Sequence, residues 1–269
     1  MRIGPAYFTA LLLTVVILVT CFQPVDPVLG QQVAHSVLFL QSFYPKKYVL
    51  ELNSPAWSVS VEMVFYVLFP LLLLLTRYKK IFIYFTIFAY LLSQFIHLYL
   101  APKLLGISGS AIFYHPLIHM NQFLIGITGG ILLLHYPDLL KRKHLSFLFF
   151  AIIILLVMIR PENISYNDGL IAPLFMLLIV SISSNNIRWL NSKLLIFLGE
   201  ISFGIYIYQM PVYKYLSKIN ITHLHQSENL FFYSSFALLI IVSTISYYFI
   251  EQPILKFFKK KRAPSITEL

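Results

Sequence analysis

The chain has 269 residues, of which 59% are hydrophobic and only 11% charged, with a mean hydropathy of +0.80. A soluble domain carries about 25% charged residues, so a water-exposed exterior cannot be built from this composition and lipid must cover most of it. The net charge of +10 does not point to nucleic acid, because the basic residues sit at the ends of apolar stretches, and the single cysteine, Cys21, excludes a disulfide within the chain and any cysteine-based metal cluster.

A helix needs about 20 mostly apolar residues to cross a bilayer. In chain order, the apolar runs predict helices over 6–22, 56–76, 81–100, 117–135, 145–159, 169–184, 194–213 and 229–250. The fold expected is all-α, a polytopic membrane bundle of about eight transmembrane helices. The first run ends at Leu18-Val19-Thr20-Cys21, which resembles a lipoprotein cleavage site. Thr directly before the Cys is a poor cleavage residue, so the run reads as a retained helix. The following segment, 23–53, is the longest outer loop, and its apolar stretch Val33 to Leu40 is too short to span. It is expected in the interface or folded back into the bundle.

Basic residues set the orientation. With the N-terminus inside, the cytoplasmic side receives Arg2, Arg77, Lys79, Lys80, Lys141, Arg142, Lys143, Arg188, Lys193, Lys256, Lys259, Lys260, Lys261 and Arg262, which is 14 of the 20 Lys and Arg. The outer side receives Lys46, Lys47, Lys103, Arg160, Lys214 and Lys218. Both termini are therefore expected in the cytoplasm. Residues 1–255 read as one membrane domain and 256–269 as a basic cytoplasmic tail held against anionic lipid.

A carboxylate gains nothing from hydrocarbon, since an acid at mid-bilayer costs about 2.5–3.5 kcal/mol on insertion scales. Glu62, in the second predicted helix, is such an acid. Ser54 is the expected cap of that helix, with Pro55 at its first position, and Pro70 is expected to kink it. Ser58, Glu62 and Tyr66 are four apart and share one helical face. The stripe reads either as a catalytic or substrate-binding carboxylate or as interhelical glue. The seventh predicted helix has a similar stripe, Ser202, Tyr206, Gln209 and Tyr213, with Gly199 and Gly204 permitting close approach of a neighbour. Pro211 frees a backbone carbonyl for a substrate or water. His115 and His119 are four apart, but two ligands without a third do not make a metal site, and none is expected. Asn163-Ile164-Ser165 and Asn220-Ile221-Thr222 fit a glycosylation pattern.

The run from Pro55-Ala56-Trp57-Ser58 through Glu62 and Phe65-Tyr66 to Pro70 resembles the signature of the acyltransferase-3 family, membrane-embedded O-acyltransferases that decorate bacterial surface polysaccharides and other acceptors. Gly199-Glu200-Ile201-Ser202-Phe203-Gly204-Ile205-Tyr206 with Gln209 and Pro211 is similar to the family's late motif, with Gln209 where His is commoner. Ser246-Tyr247-Tyr248-Phe249-Ile250-Glu251-Gln252-Pro253 resembles its closing motif, and Gln122-Phe123-Leu124-Ile125-Gly126 a weaker one in mid-chain. Arg2-Ile3-Gly4-Pro5 resembles the stretch that opens the family's third helix. The resemblance thus implies a protein truncated at its N-terminus, without the two helices that carry the family's catalytic His. Either more chain precedes Met1, or this is a member that does not catalyse.

The resemblance implies transfer of an acyl group, most often acetyl, from acyl-CoA to a hydroxyl of a surface or exported glycan, in the bacterial inner membrane. It implies Glu62 as the catalytic carboxylate and Trp57, Ser58 and Tyr66 beside substrate. Ser202, Tyr206 and Gln209 join Tyr66 as donor types for the thioester oxygen as it becomes negative, and Arg2 suits the phosphates of CoA. No cofactor is expected to stay bound, since acyl-CoA is a substrate; the partners are acyl-CoA, the glycan acceptor and membrane lipid. Composition also allows a transporter or flippase of glycan or lipid intermediates that uses Glu62 for coupling, and an inactive remnant. The Trp57 to Pro70 pattern argues against transport, which does not require it.

Overall fold

The computed structural model describes residues 3–22, 24, 26–43, 52–100, 114–159, 169–185, 187–219 and 228–262. Among them there is no strand. The helices are α1 Ile3–Cys21, α2 Leu29–Val37, α3 Trp57–Leu75, α4 Lys79–Phe95, α5 Pro116–His135, α6 Lys143–Ile159, α7 Ala172–Asn185, α8 Lys193–Lys218, α9 Glu228–Ser246 and α10 Gln252–Arg262. A 3₁₀ turn, Ser54–Ala56, precedes α3. Single π-helical turns extend α4 through Ile96–Leu100 and join α9 to α10 through Tyr247–Glu251.

Each of the predicted runs is a helix, because an unbroken apolar segment in lipid must satisfy its backbone internally. Among the described residues, six helical stretches are long and apolar enough to cross a membrane. α6 and α7 have 17 and 14 residues, and at 1.5 Å per residue they reach about 25 and 21 Å against a hydrocarbon core of about 30 Å. Their outward side chains are apolar: Met158 of α6 is 78% exposed and Ile179 of α7 61%. The protein is a multi-pass helical membrane protein.

The described residues fall into two compact units, one drawn from Met1–Val59 and Ser192–Leu269, the other from Ser60–Asn191. In the first, α8 packs against both α1 and α9. Gly204 allows the α8–α9 approach, since a methyl group there would lie 3.1 Å from Ser243 Cβ and 3.4 Å from its Cα. Gly199 has nothing within 4 Å of such a methyl, so only one of the two glycines expected at a close contact makes one. The apolar stretch after α1 folds back onto it: the Tyr7 hydroxyl donates to the Ser36 carbonyl (2.7 Å) and accepts from the Gln41 amide. Phe39, left-handed at φ 56°, sets its ring 5.0 Å from that of Tyr7.

A buried polar chain runs through the same unit. The Tyr208 and Ser246 hydroxyls lie 2.7 Å apart, and Ser246 donates to Glu251 Oε1 at 3.3 Å. Glu251 is 1% exposed. It sits in the π-helical turn, and one extra residue per turn is what re-aims a side chain there.

In the second unit, α5 packs against α4 and α7, and α7 against α6. Small polar residues join them, as expected where lipid removes the hydrophobic drive between helices. The Ser146 and Ser181 hydroxyls are 2.7 Å apart, Asn185 donates to the Leu140 carbonyl (2.9 Å), and Ser93 to the Ile118 carbonyl (3.1 Å). Gly169 has φ +81°, and a methyl there would sit 2.7 Å from Asn121 Oδ1 and Gln122 Cγ, so the chain entering α7 closes directly over α5.

Candidate active site

The segment ahead of α3 is tied to α8 by a ladder of hydrogen bonds within the first unit. Lys214 Nζ donates to the Leu52 carbonyl at 3.0 Å. Asn53 Nδ2 donates to the Ile207 carbonyl at 3.1 Å. The Tyr206 hydroxyl lies 2.9 Å from both the Pro55 carbonyl and Ser58 Oγ; with one hydrogen it donates to one of them at a time. Ser58 Oγ in turn donates to the Pro55 carbonyl at 3.1 Å.

One of these bonds has a covalent cause. An α-helical N–H bonds to the carbonyl four residues back. Pro211 lies inside α8 and has no N–H, so the carbonyl left over is that of Ile207. The sequence reading offered it to substrate or water; Asn53 takes it instead, at 5% exposure. Asn53 also stands where Ser54 was expected to cap, and its side chain makes no capping bond. Proline in a predicted helix marks a free carbonyl, so the signal for a buried amide donor was present; which amide supplies it was not.

α3 starts in the first unit and continues into the second, where it carries Glu62. The Tyr66 hydroxyl donates to Glu62 Oε1, one turn away on the same helix. Glu62 is half-buried. Next to Tyr66 in the chain, Phe65 stacks on Phe123 of α5 with centroids 4.6 Å apart and planes at 10°, and Phe69, about one turn further on, meets the same ring edge-on at 6.0 Å. The mid-chain stretch beginning at Gln122 therefore packs against the helix that bears the carboxylate.

The three residues expected as one stripe on α3 divide their bonds. Glu62 and Tyr66 pair with each other, whereas Ser58 pairs with Tyr206 of α8. Trp57 is half-buried at the start of α3. The stripe on α8 divides as well. Tyr206 reaches the 3₁₀ turn, but Ser202 donates to the Gly199 carbonyl of its own helix at 2.9 Å. Gln209 lines an open groove of about 460 Å³ between α8 and α9, with Tyr213 and Ser235. Arg2, Asn163 and Asn220 lie outside the described residues. His115 caps α5, its Nδ1 accepting from the Leu117 N–H at 3.3 Å, and His119 Nδ1 lies 3.3 Å from the Gln122 amide. Among the described residues no three His, Cys, Asp or Glu side chains gather as a metal site would require.

An ionisable side chain in a membrane helix, braced by a tyrosine, within a bundle that crosses the bilayer several times, defines a membrane-embedded enzyme or transporter. The chain belongs to the acyltransferase-3 family: the family model, described as an acyltransferase domain, matches residues 1–248. No curated protein and no solved structure matches it. The protein is thus a membrane acyltransferase, of the class that transfers groups other than aminoacyl groups.

Proposed function

We propose that the protein moves an acetyl group from acetyl-CoA to a hydroxyl of an exported or surface glycan, in a bacterial inner membrane with both termini in the cytoplasm. The acceptor oxygen attacks the thioester carbonyl carbon, the C–S bond breaks, and the CoA sulfur leaves as thiolate and takes up the proton that the hydroxyl releases. A hydroxyl is a weak nucleophile at neutral pH and needs its proton drawn off. Glu62 accepts the hydrogen bond of the acceptor hydroxyl and holds it in line, and Tyr66 holds Glu62. Tyr206 and Ser58 fix the start of α3. Gln209 faces substrate from its groove, Trp57 walls the start of α3, Ser202 supports α8 through Gly199, and Arg2 meets the CoA phosphates at the cytoplasmic end.

The observation that carries this reading is the Tyr66–Glu62 hydrogen bond, made inside the run that carries the family's signature. A carboxylate kept only as interhelical glue would spend its oxygens on another helix; this one is braced from its own. The test is transfer of label from [¹⁴C]acetyl-CoA to glycan in membranes that contain the protein. Label in the glycan, released by mild base as an ester is, supports the reading. Transport of unlabelled glycan without acetyl transfer refutes it.

A further inference from the structure

Within the first unit, α1, α8 and α9 leave an apolar groove between them that the reaction just described does not use. It holds about 290 Å³. α1 lines it with Val16 and Thr20, α8 with Pro211 and Tyr215, and α9 with Leu238 and Val242. Val16 is 47% exposed and Tyr215 40%, so the groove opens outward from the three helices. In a bilayer such an opening takes up a hydrocarbon chain. Hydrocarbon alone selects no particular lipid, because lipid tails are as apolar as the groove. Selection needs a contact with the head group at the groove's mouth.

Lys218 supplies that contact. It is the last residue of α8, three beyond Tyr215 and therefore on the same helical face. Its Nζ lies 5.0 Å from the centre of the Phe22 ring, and Phe22 follows Cys21, which also lines the groove. The ring holds the ammonium through its quadrupole and leaves the charge uncancelled. Among the described residues Lys218 meets no carboxylate. The depth agrees. Pro211 and Lys218 are seven residues apart, about 10 Å along the helix, against about 15 Å for half of the hydrocarbon core. A cation at the interface with an apolar groove running inward beneath it matches a phosphate head and its acyl chain. A zwitterionic head would bring a second, positive group, for which no carboxylate stands beside Lys218 among the described residues; an anionic head suits better.

We propose that α1, α8 and α9 form a site for one anionic phospholipid, with its phosphate on Lys218 and an acyl chain in the groove. By the charge-based orientation this is a lipid of the outer leaflet. Seated there it bridges α1, α8 and α9, and α8 carries Tyr206. The site does not depend on the acyltransferase reading.

The test is native mass spectrometry of the full chain in a neutral detergent, titrated with dioleoyl phosphatidylglycerol. One lipid is expected to bind ahead of the rest, and Lys218→Gln weakens that first binding about fivefold, the scale of one lysine at a phosphate surface. Val16→Trp, which fills the groove and keeps Lys218, weakens it at least as much. Lys193→Gln, at the other end of α8, changes it by less than about twofold. All three variants are checked for unchanged melting temperature, so that loss of binding is not loss of fold. Dioleoylglycerol, which lacks the phosphate, and glycerol phosphate, which lacks the tails, both compete more weakly than the phospholipid. Equal first binding by wild type and by the folded groove variants overturns the site, and so does an equal loss from Lys193→Gln. Competition by glycerol phosphate as strong as by the phospholipid assigns Lys218 to free phosphate and overturns the lipid. Competition by dioleoylglycerol as strong leaves only a hydrocarbon crevice and overturns the anionic head.

Discussion

Asn53 donates its side-chain amide to the carbonyl of Ile207, the one carbonyl of α8 that Pro211 leaves without a helical N–H. A loop residue thus completes a helix 154 residues further on. The pairing couples the entry to α3 with the helix that carries Tyr206.

This coupling is measurable. Asn53→Ala leaves the Ile207 carbonyl unpaired and is expected to lower stability by about 1 kcal/mol, within the range of interhelical hydrogen bonds in membranes. Pro211→Ala returns an N–H to that carbonyl, so in its presence Asn53→Ala costs little. A double-mutant cycle on melting temperature in nanodiscs checks it; additive effects contradict the pairing.

Tyr206→Phe keeps the ring and removes the hydroxyl that reaches Pro55 and Ser58. Turnover is expected to fall about tenfold, which is about 1.4 kcal/mol of transition-state positioning. Ser58→Ala falls less, because Tyr206 retains the Pro55 carbonyl. Release of CoA thiol, compared for the two variants under equal protein loading, decides the order.

The two glycines of α8 separate cleanly. Gly204→Ala puts a methyl 3.1 Å from Ser243 Cβ, with backbone behind it that cannot turn away. It is expected to destabilise by about 1–3 kcal/mol, the usual penalty of overpacking. Gly199→Ala meets nothing within 4 Å and is expected to stabilise by about 0.5–1 kcal/mol through the helix itself. Thermal melts of the two single variants test this; the same sign for both contradicts it.

The helices were legible because each apolar run long enough to span has no other stable form in lipid, and even the short α6 and α7 follow the short runs at 145–159 and 169–184. The cost of an intramembrane acid marked Glu62, and helical spacing gave its partner Tyr66. What spacing could not give is the partner across helices. Ser58 was expected beside Glu62 and bonds Tyr206 instead; Ser202, at the same spacing on α8, turns back to its own carbonyl. Gly199 and Gly204 are the same residue on the same helix, and only the position of Ser243 tells them apart.

The central claim is that Glu62 acts on the acceptor hydroxyl. The most direct measurement is the rate of CoA thiol release from acetyl-CoA with glycan acceptor, for wild type, Glu62→Asp and Glu62→Gln at matched membrane insertion. Glu62→Gln keeps the size and the bond to Tyr66 but loses the charge, and turnover is expected to drop by about a hundredfold, as for a reacting group no longer held in line, with Glu62→Asp between. Turnover of Glu62→Gln within about twofold of wild type would contradict the role given to this carboxylate.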